Sequence, residues 1–248
     1  MRIVEIKFDH IIHHVHYLNN ADIDFLKVIN GGKHEQLGTY NKLSYTTDLS
    51  YIEFIDAYDR TLVHKAAQSA EERLSFAASL ERTEYTEGFK RLCFRTEDIN
   101  ALKQHFEQIG VKTIGPSRMQ RVTPEGEVIA WQLLYIDEER NYELPFFIQW
   151  GASDEERMQS LSSYFQGNLK VEGIDIETTD FNDMAEVYVE WLGYEVTSGV
   201  INSYFKLEKL GCPAIYLIPG NTDTIRRLKI KSDAPAVHHF RNAIYQFN

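Results

Sequence analysis

Cysteine is nearly absent from this 248-residue chain: it has two, Cys93 and Cys212, far apart and without ligand spacing. That excludes a disulfide framework and suits a reduced, cytoplasmic protein. Clustered positive charge is lacking as well. Lys and Arg number 26 against 37 Asp and Glu, a formal net charge of −11. Attachment to a phosphate backbone rests on grouped Lys and Arg, so nucleic acid is not expected as a partner. The one basic run, RRLKIK at 226–231, alternates with apolar residues and reads as a strand with a solvated face. No apolar run approaches the roughly 18 residues of a membrane span. The opening MRIVEIKFDH lacks the apolar core, roughly 7–15 residues, of a signal peptide, and no membrane partner is expected. Neither GxGxxG nor a Walker pattern occurs, and GxSxG is missing too, so neither a nucleotide nor a serine nucleophile is signalled.

What the chain has is aromatic and repetitive. Its 14 Tyr and 14 Phe supply large apolar faces for sheets and pocket walls, and its length allows one large or two small domains with a buried core. Over 8–16, strand alternation places His10, Ile12, His14 and His16 on one face and Ile11, His13 and Val15 on the other. Asn19 or Asn20 is expected to cap a helix carrying Ile23, Phe25, Leu26 and Ile29 and stopped by Gly31-Gly32. Strands near 34–38, 41–47 and 50–57 follow, then a helical pattern over 60–82. The order then returns: a strand at 89–95, Asp98 as cap, a helix with Ile99, Leu102, Phe106 and Ile109, a stop at Gly110, and strands near 112–114, 118–122, 128–136 and 145–150. A polar linker over 151–169, expected to be helical for a turn or two, leads to a third copy. Its strand is 171–177, its cap Thr179 or Asp180, its helix ends at Gly193, and its later strands lie near 195–198, 202–208 and 214–218. The final TIRRLKIKSDAPAVHHFRNAIYQF reads as a strand and then a helix. Gly31, Gly110 and Gly193 stand 79 and 83 residues apart, and self-similarity at such a spacing marks a repeated supersecondary unit.

A strand–helix–three-strand unit cannot close its own core, whereas two such units side by side make a curved sheet with a concave pocket. The stretches FDHIIHHV, GGKHEQLGTYNKL and YIEFID, with LPFFIQW later, resemble the vicinal oxygen chelate superfamily of glyoxalases, bleomycin-resistance proteins and dihydroxybiphenyl dioxygenases, in its glyoxalase-like branch. The resemblance implies an α+β fold of repeated βαβββ modules paired into curved mixed β-sheets with helices outside. Modules at about 8–57 and 88–150, bridged by helix 60–82, would form a glyoxalase-like domain over 1–150; 151–169 would be a linker, and 170–248 a third module plus a partial fourth. The resemblance covers residues 8–150 well, and over 170–248 only the module outline is shared.

His10 and Glu53 are the leading site pair. An imidazole nitrogen and a carboxylate oxygen suit Zn, Ni, Fe or Mn, and strands of one curved sheet can aim both inward. Without a metal, the same two groups can do acid/base work. In metal-dependent members of the superfamily two ligands come from each of two paired modules, which implies a divalent cofactor at His10 and Glu53. Counting back from Gly110, the resemblance sets Phe89 at the place of His10 and Gln149 at the place of Glu53. Gln149 is then the third metal candidate, through its amide oxygen; Phe89 cannot ligate. By the same resemblance His14 stands where glutathione-using relatives contact a substrate carboxylate. His34 and Asn41 are polar candidates at the pocket rim, and Tyr45, Tyr51, Trp131, Phe147 and Trp150 are candidates for its walls. His13 is expected to face the helices in a structural role, His16 to be exposed, and His238 and His239 to occupy different sides of the last helix. The run HHVH is not read as a metal site, because alternation divides its histidines between two faces.

The implied function is binding of a small oxygen-bearing organic molecule in the concave sheet, with metal-assisted lyase, isomerase or dioxygenase chemistry. The alternative is a non-catalytic protein that sequesters a drug or metabolite, which the incomplete second ligand pair favours. A third reading is an inactive duplication scaffold. Three modules and a fragment can pair within one chain, so a monomer is expected as readily as a homodimer.

Overall fold

Runs of alternating apolar residues become strands wherever short polar turns separate them. The computed structural model, which describes residues 4–122, 128–200 and 203–248, arranges them in two mixed sheets. The first holds β1 (Lys7–His14), β2 (Ile29–His34), β3 (Thr39–Tyr45), β4 (Tyr51–Ala57), β5 (Gly88–Arg95), β6 (Thr113–Val122), β7 (Val128–Ile136) and β8 (Phe146–Trp150), in the order β2-β3-β4-β1-β5-β8-β7-β6. The second holds β9 (Lys170–Thr178), β10 (Glu195–Val200), β11 (Tyr204–Glu208), β12 (Ala214–Pro219), β13 (Thr224–Lys231), β14 (Ala236–Phe240) and β15 (Ala243–Phe247), in the order β10-β11-β12-β9-β13-β15-β14. At the centre of the first sheet β1 and β5 run antiparallel, each flanked by a parallel neighbour, β4 and β8. The second sheet repeats that plan, with β9 and β13 at its centre and β12 and β15 beside them. Each sheet is therefore a pair of units meeting along their first strands.

The helices begin where side chains satisfy free backbone N–H groups. Asp59 caps α1 (Arg60–Gln68), Ser75 caps α2 (Phe76–Arg82), Asp98 caps α3 (Ile99–Gln108) and Asp180 caps α5 (Phe181–Ala185). Ser153 and Glu156 form a reciprocal capping box on α4 (Asp154–Leu161). One apolar cluster joins the two sheets, with Ile11, Phe54, Phe94 and Phe106 from the first half meeting Ile174, Leu228 and Tyr245 from the second. Burying each such side chain contributes roughly 1.5–3 kcal/mol. A separate cluster, including Ile12, Ile55, Cys93 and Phe146, lies on the other face of the first sheet, where Ala66 of α1 and Phe76 and Leu80 of α2 pack onto it.

Two expected helices are absent. Over 19–31 the backbone makes only a 3-10 turn at Leu18–Asn20, and Ile29 and Gly31 already belong to β2. The cause is tertiary: Phe25 stacks on His238 with centroids 4.8 Å apart and also meets Phe240, Tyr245 and Phe247. The segment gives its apolar side chains to the second sheet instead of to a helix face. At the other end, His238 and His239 lie in β14, which forms a hairpin with β15. Arg241 and Asn242 make its two-residue turn at φ 47° and 62°, the left-handed pair that suits the twist of a tight hairpin. The strand expected at 34–38 is instead β2 followed by a turn. Gly38 has φ 69°, and a Cβ there would lie 2.3 Å from the carbonyl oxygen of Asp59. The expected strand at 202–208 is β11, with Asn202 outside the described residues. Among the described residues no helix is long and apolar enough to cross a membrane.

Candidate functional site

In the parallel pair β1–β4, His10 stands opposite Tyr51 and Ile12 opposite Glu53, so the pleat turns His10, Tyr51 and Glu53 to one face. His10 Nε2 lies 3.3 Å from Glu53 Oε2. From β3, Asn41 Nδ2 donates to Glu53 Oε1 at 2.7 Å. Asn41 can take that position because residue 31 is glycine: a Cβ there would fall 2.1 Å from Asn41 Oδ1.

Asp9 belongs to the site although alternation points it away. Phe8 pairs with Phe94 and His10 with Cys93, which leaves Asp9 as the extra residue of a bulge. The bulge brings its carboxylate round to His10. Oδ1 accepts from His10 Nδ1 at 2.8 Å, Oδ2 accepts from Trp150 Nε1 at 3.0 Å, and the Arg157 guanidinium of α4 stands 3.5 Å from Oδ2. Burial, the largest single effect, pushes the Asp9 carboxyl up, but Arg157, His10 and Arg95 together outweigh it and hold it at about 2. An ionised Asp9 keeps a hydrogen on Nδ1, which leaves Nε2 as the ring nitrogen that faces the Glu53 carboxylate.

Around this pair remains a cavity of about 40 Å3. Tyr51 stacks on His10 with centroids 4.5 Å apart; burial first, then Asp9 and Glu53, push its hydroxyl well above the usual phenol range. His34 bonds Thr39 Oγ1 at 3.0 Å, and burial, opposed by Glu53, lowers its imidazole and favours the neutral ring. Trp131 and Trp150 form a further wall, and Phe76 of α2 reaches in from the helix pair. Tyr45 and Arg121 also line it. Arg121, Trp131 and Trp150 line an outer groove of about 940 Å3 as well.

Of the residues expected from sequence, His10, His34, Asn41, Tyr51, Glu53, Trp131 and Trp150 converge on this cavity, and Tyr45 joins them as a wall. Phe147 does not; it packs in the cluster between the sheets. Gln149 is turned away as well: its Oε1 accepts from the backbone N–H of Ile99 at 2.9 Å, and it borders only outer grooves. His14 is fully buried near Thr86 and Asp56, outside the cavity. His13 meets Tyr245 of the second sheet, not the helices. Sequence reasoning missed Asp9, Phe76, Arg121 and Arg157. A bulge leaves no clear mark in a sequence, and the other three come from distant segments.

The strand register also tests the donors against a divalent metal. Cys93 stands opposite Phe146 as His10 stands opposite Tyr51, so Ile148, two residues on, is the counterpart of Glu53. Cys93 and Ile148, not Phe89 and Gln149, thus hold the places equivalent to His10 and Glu53. Ile148 has no donor atom. Burial beside Asp9 and Glu53 pushes the Cys93 thiol well above its usual range. The residues present therefore do not fit a centre with two ligands from each half: beside His10 and Glu53 the cavity is lined by His34 and Asn41, also from the first half, and among the described residues the second half brings to His10 only the Cys93 thiol, grouped with Asp9.

Residues 8–192 match a family model described as a glyoxalase-like domain. Among solved structures, a hypothetical protein from Staphylococcus aureus is 30% identical, with a TM-score of 0.94 over 98% of this chain and 99% of that chain. A Mn(II)-bound glyoxalase from Novosphingobium aromaticivorans shares 9% identity and a TM-score of 0.54, over 97% and 81% of the two chains. An extradiol ring-cleaving dioxygenase from B. fuscum shares 12% identity and a TM-score of 0.56, over 99% and 72%. The last two are likenesses of fold alone. No curated protein matches the sequence.

Proposed function

This chain belongs to the glyoxalase-like domain family of the vicinal oxygen chelate superfamily, and from that premise we propose that it binds a small oxygen-bearing organic molecule in the concave first sheet and moves a proton on it. The observation that carries this is the Asp9–His10–Glu53 chain, held by Trp150, Arg157 and Asn41 inside an aromatic cage. Glu53 is the base: Asn41 holds Oε1 and leaves Oε2 toward His10 and the cavity. His10, oriented by Asp9, is the acid that delivers a proton to a substrate oxygen as charge develops there. Arg121 adds positive charge at the cavity wall for a carboxylate or oxyanion. The reaction class is isomerase or lyase chemistry at carbon next to a carbonyl. The cavity is far below the roughly 300–1,000 Å3 of ordinary ligand sites, so Phe76, which takes no part in that hydrogen-bonded chain, must swing aside to admit a molecule. Both cysteines are free, which suits a cytoplasmic setting.

A second reading has its own support. Ile148 at the place of a ligand is what a sequestering protein of this fold would show, with the cage retained and the chemistry lost. One experiment separates the two. A panel of small 2-oxo and 2-hydroxy carbonyl compounds in D2O is followed by proton NMR and by the fluorescence of Trp131 and Trp150, with elemental analysis of the same preparations for Zn, Ni, Fe and Mn. Deuterium entering the carbon next to the carbonyl with wild type but not with Glu53→Gln supports the enzyme. Binding without exchange supports sequestration, and neither binding nor exchange sinks both readings.

A further inference from the structure

At the C-terminal end of β1, away from the cavity, three side chains meet without a use in the proposed chemistry. His14 is fully buried, and its Nδ1–H donates to the carbonyl oxygen of Thr86 at 2.8 Å. A carbonyl can only accept, so in the neutral ring Nε2 carries the lone pair. That Nε2 is buried without a hydrogen-bond partner, and it points to Asp56 Oδ1 at 3.6 Å. Two acceptors facing each other in a buried place cost free energy unless a proton or a metal cation lies between them. His16, two residues on, stacks edge-on against His14 with centroids 4.7 Å apart. One ligand atom from each of His14, His16 and Asp56 lies within 4.8 Å of the other two.

We propose that His14, His16 and Asp56 form a divalent-cation site separate from the His10–Glu53 cavity, with Zn2+ as its best-matched occupant. Two imidazole nitrogens and one carboxylate oxygen are the donor set of borderline divalent ions. Donors at about 2.0–2.1 Å from a tetrahedral Zn2+ stand about 3.4 Å from one another. The His14–Asp56 separation of 3.6 Å is long for a hydrogen bond and close to that edge. Bringing in His16 takes a side-chain rotation, and its ring is only partly buried. The carboxylate is held from its other sides by the Ala57 N–H at 2.8 Å and the Tyr40 hydroxyl at 3.3 Å, the kind of outer contacts that orient a ligand. Among the described residues no Lys or Arg forms an ion pair with Asp56. Arg60 instead lies over the Tyr85 ring, with its guanidinium carbon 4.1 Å from the centroid. His16 and Asp56 border a groove of about 710 Å3 that also carries Lys33 and Arg60, so the open coordination position faces positive charge. An anion such as a carboxylate or phosphate completes the shell. Alternation does divide the run HHVH, but it separates only His13; His14 and His16 stay together, and the third donor comes from β4.

The test uses the full chain, stripped with chelator and titrated with Zn2+ by calorimetry, in wild type, Glu53→Gln, His16→Ala and Asp56→Asn. One equivalent of Zn2+ should bind to wild type and to Glu53→Gln alike. His16→Ala and Asp56→Asn should weaken it more than about tenfold, and His16→Ala, altering a partly exposed side chain, should keep the wild-type circular dichroism spectrum. Loss of the equivalent in Glu53→Gln, or unchanged affinity in His16→Ala, would overturn the proposal. So would the absence of any stoichiometric Zn2+, the result expected if His14 is instead doubly protonated and donates to Asp56 itself.

Discussion

His13 Nδ1 and Tyr245 Oη stand 2.5 Å apart, joining the first strand of one sheet to the last strand of the other across 232 residues. The other ring nitrogen, Nε2, lies 3.1 Å from the carbonyl oxygen of Arg241. That oxygen accepts, so Nε2 carries the hydrogen and Nδ1 accepts from the tyrosine. The neutral ring is fully satisfied, and a protonated one would have to reverse the tyrosine bond, with Nδ1 donating to Oη. Burial is the main reason its pKa is lowered to about 3.

The sign of the pH effect follows. The folded value lies below the unfolded one, so the unfolded chain binds the extra proton first. The stability is fully present above about pH 6.5 and is lost progressively as pH falls toward 3. At about 1.4 kcal/mol per unit, roughly 2 kcal/mol should be gone by pH 5. Urea unfolding of wild type and His13→Gln at pH 7.5 and pH 5 checks this. The variant should be less stable at pH 7.5, with the gap narrowing by about that amount at pH 5. A gap that stays constant would mean His13 is not buried neutral.

Much of this architecture was legible because its signals are local. Asp98 and Asp180 cap helices with their own side chains, and strand alternation from Tyr51 to Ala57 turns Glu53 inward whatever lies across from it. What failed was set from a distance. Phe25 and Ile29 have helical spacing, but the aromatic cluster around Tyr245 draws Phe25 out of any helix. The resemblance to the superfamily's first and fourth strands singles out His10 and Glu53 as a pair, and strand period adds only which face each takes. The roles of Cys93 and Ile148 needed the observed register, because counting from Gly110 slips by one residue at β8 and by four at β5. Along β5, the β1–β5 register is itself interrupted between Leu92 and Phe89, and such interruptions are what residue counting cannot see.

Arg91 sits inside the first half with its guanidinium almost wholly enclosed. Its Nε donates to the Leu144 carbonyl and Nη1 to the Leu74 carbonyl, each at 2.7 Å, and Glu143 lies 3.8 Å away. Burial opposes the Glu143 carboxylate charge, but Arg82, Arg91 and Ser79 hold it at about 2. Arg91→Met would strand two carbonyls and weaken the charge balance of Glu143, and should cost about 3–5 kcal/mol. The exposed pair Lys206–Glu208 offers the contrast: its 2.6 Å contact is solvated, and Lys206→Ala should leave the unfolding midpoint unchanged. Equal losses in the two variants would contradict this assignment of burial.

If Ile148 is the true counterpart of Glu53, replacing it should create what the second half lacks. Ile148→His, made in a His16→Ala background to silence the β1-end cluster, should bind Zn2+ or Ni2+ at least about tenfold more tightly than that background alone, because a further imidazole at the cavity adds a ligand to His10 and Glu53. Calorimetric titration reads it directly, and adding His10→Ala should abolish the gain. An unchanged affinity would mean that the side chain at 148 does not reach the His10–Glu53 face.

The last prediction concerns a residue that touches no substrate. Gly31 has an ordinary backbone conformation, so alanine is tolerated there in principle; the obstacle is Asn41, whose Oδ1 and Cγ would lie 2.1 and 2.8 Å from the new Cβ. Something must move, and the end of the Asn41 side chain moves more readily than two paired strands. Turning it away removes the 2.7 Å bond to Glu53 Oε1, and Glu53 is then free to rotate toward His10 or into the cavity. Gly31→Ala should therefore behave like Asn41→Ala. Ligand affinity or proton exchange should fall by roughly tenfold, the loss of about 1.4 kcal/mol expected for one hydrogen bond to a charged group, while global stability drops by less than about 1 kcal/mol because β2 is an edge strand. The double variant should be no worse than either single one, since both act through the same bond. Additive losses would show that Gly31 serves the strand rather than the position of Glu53.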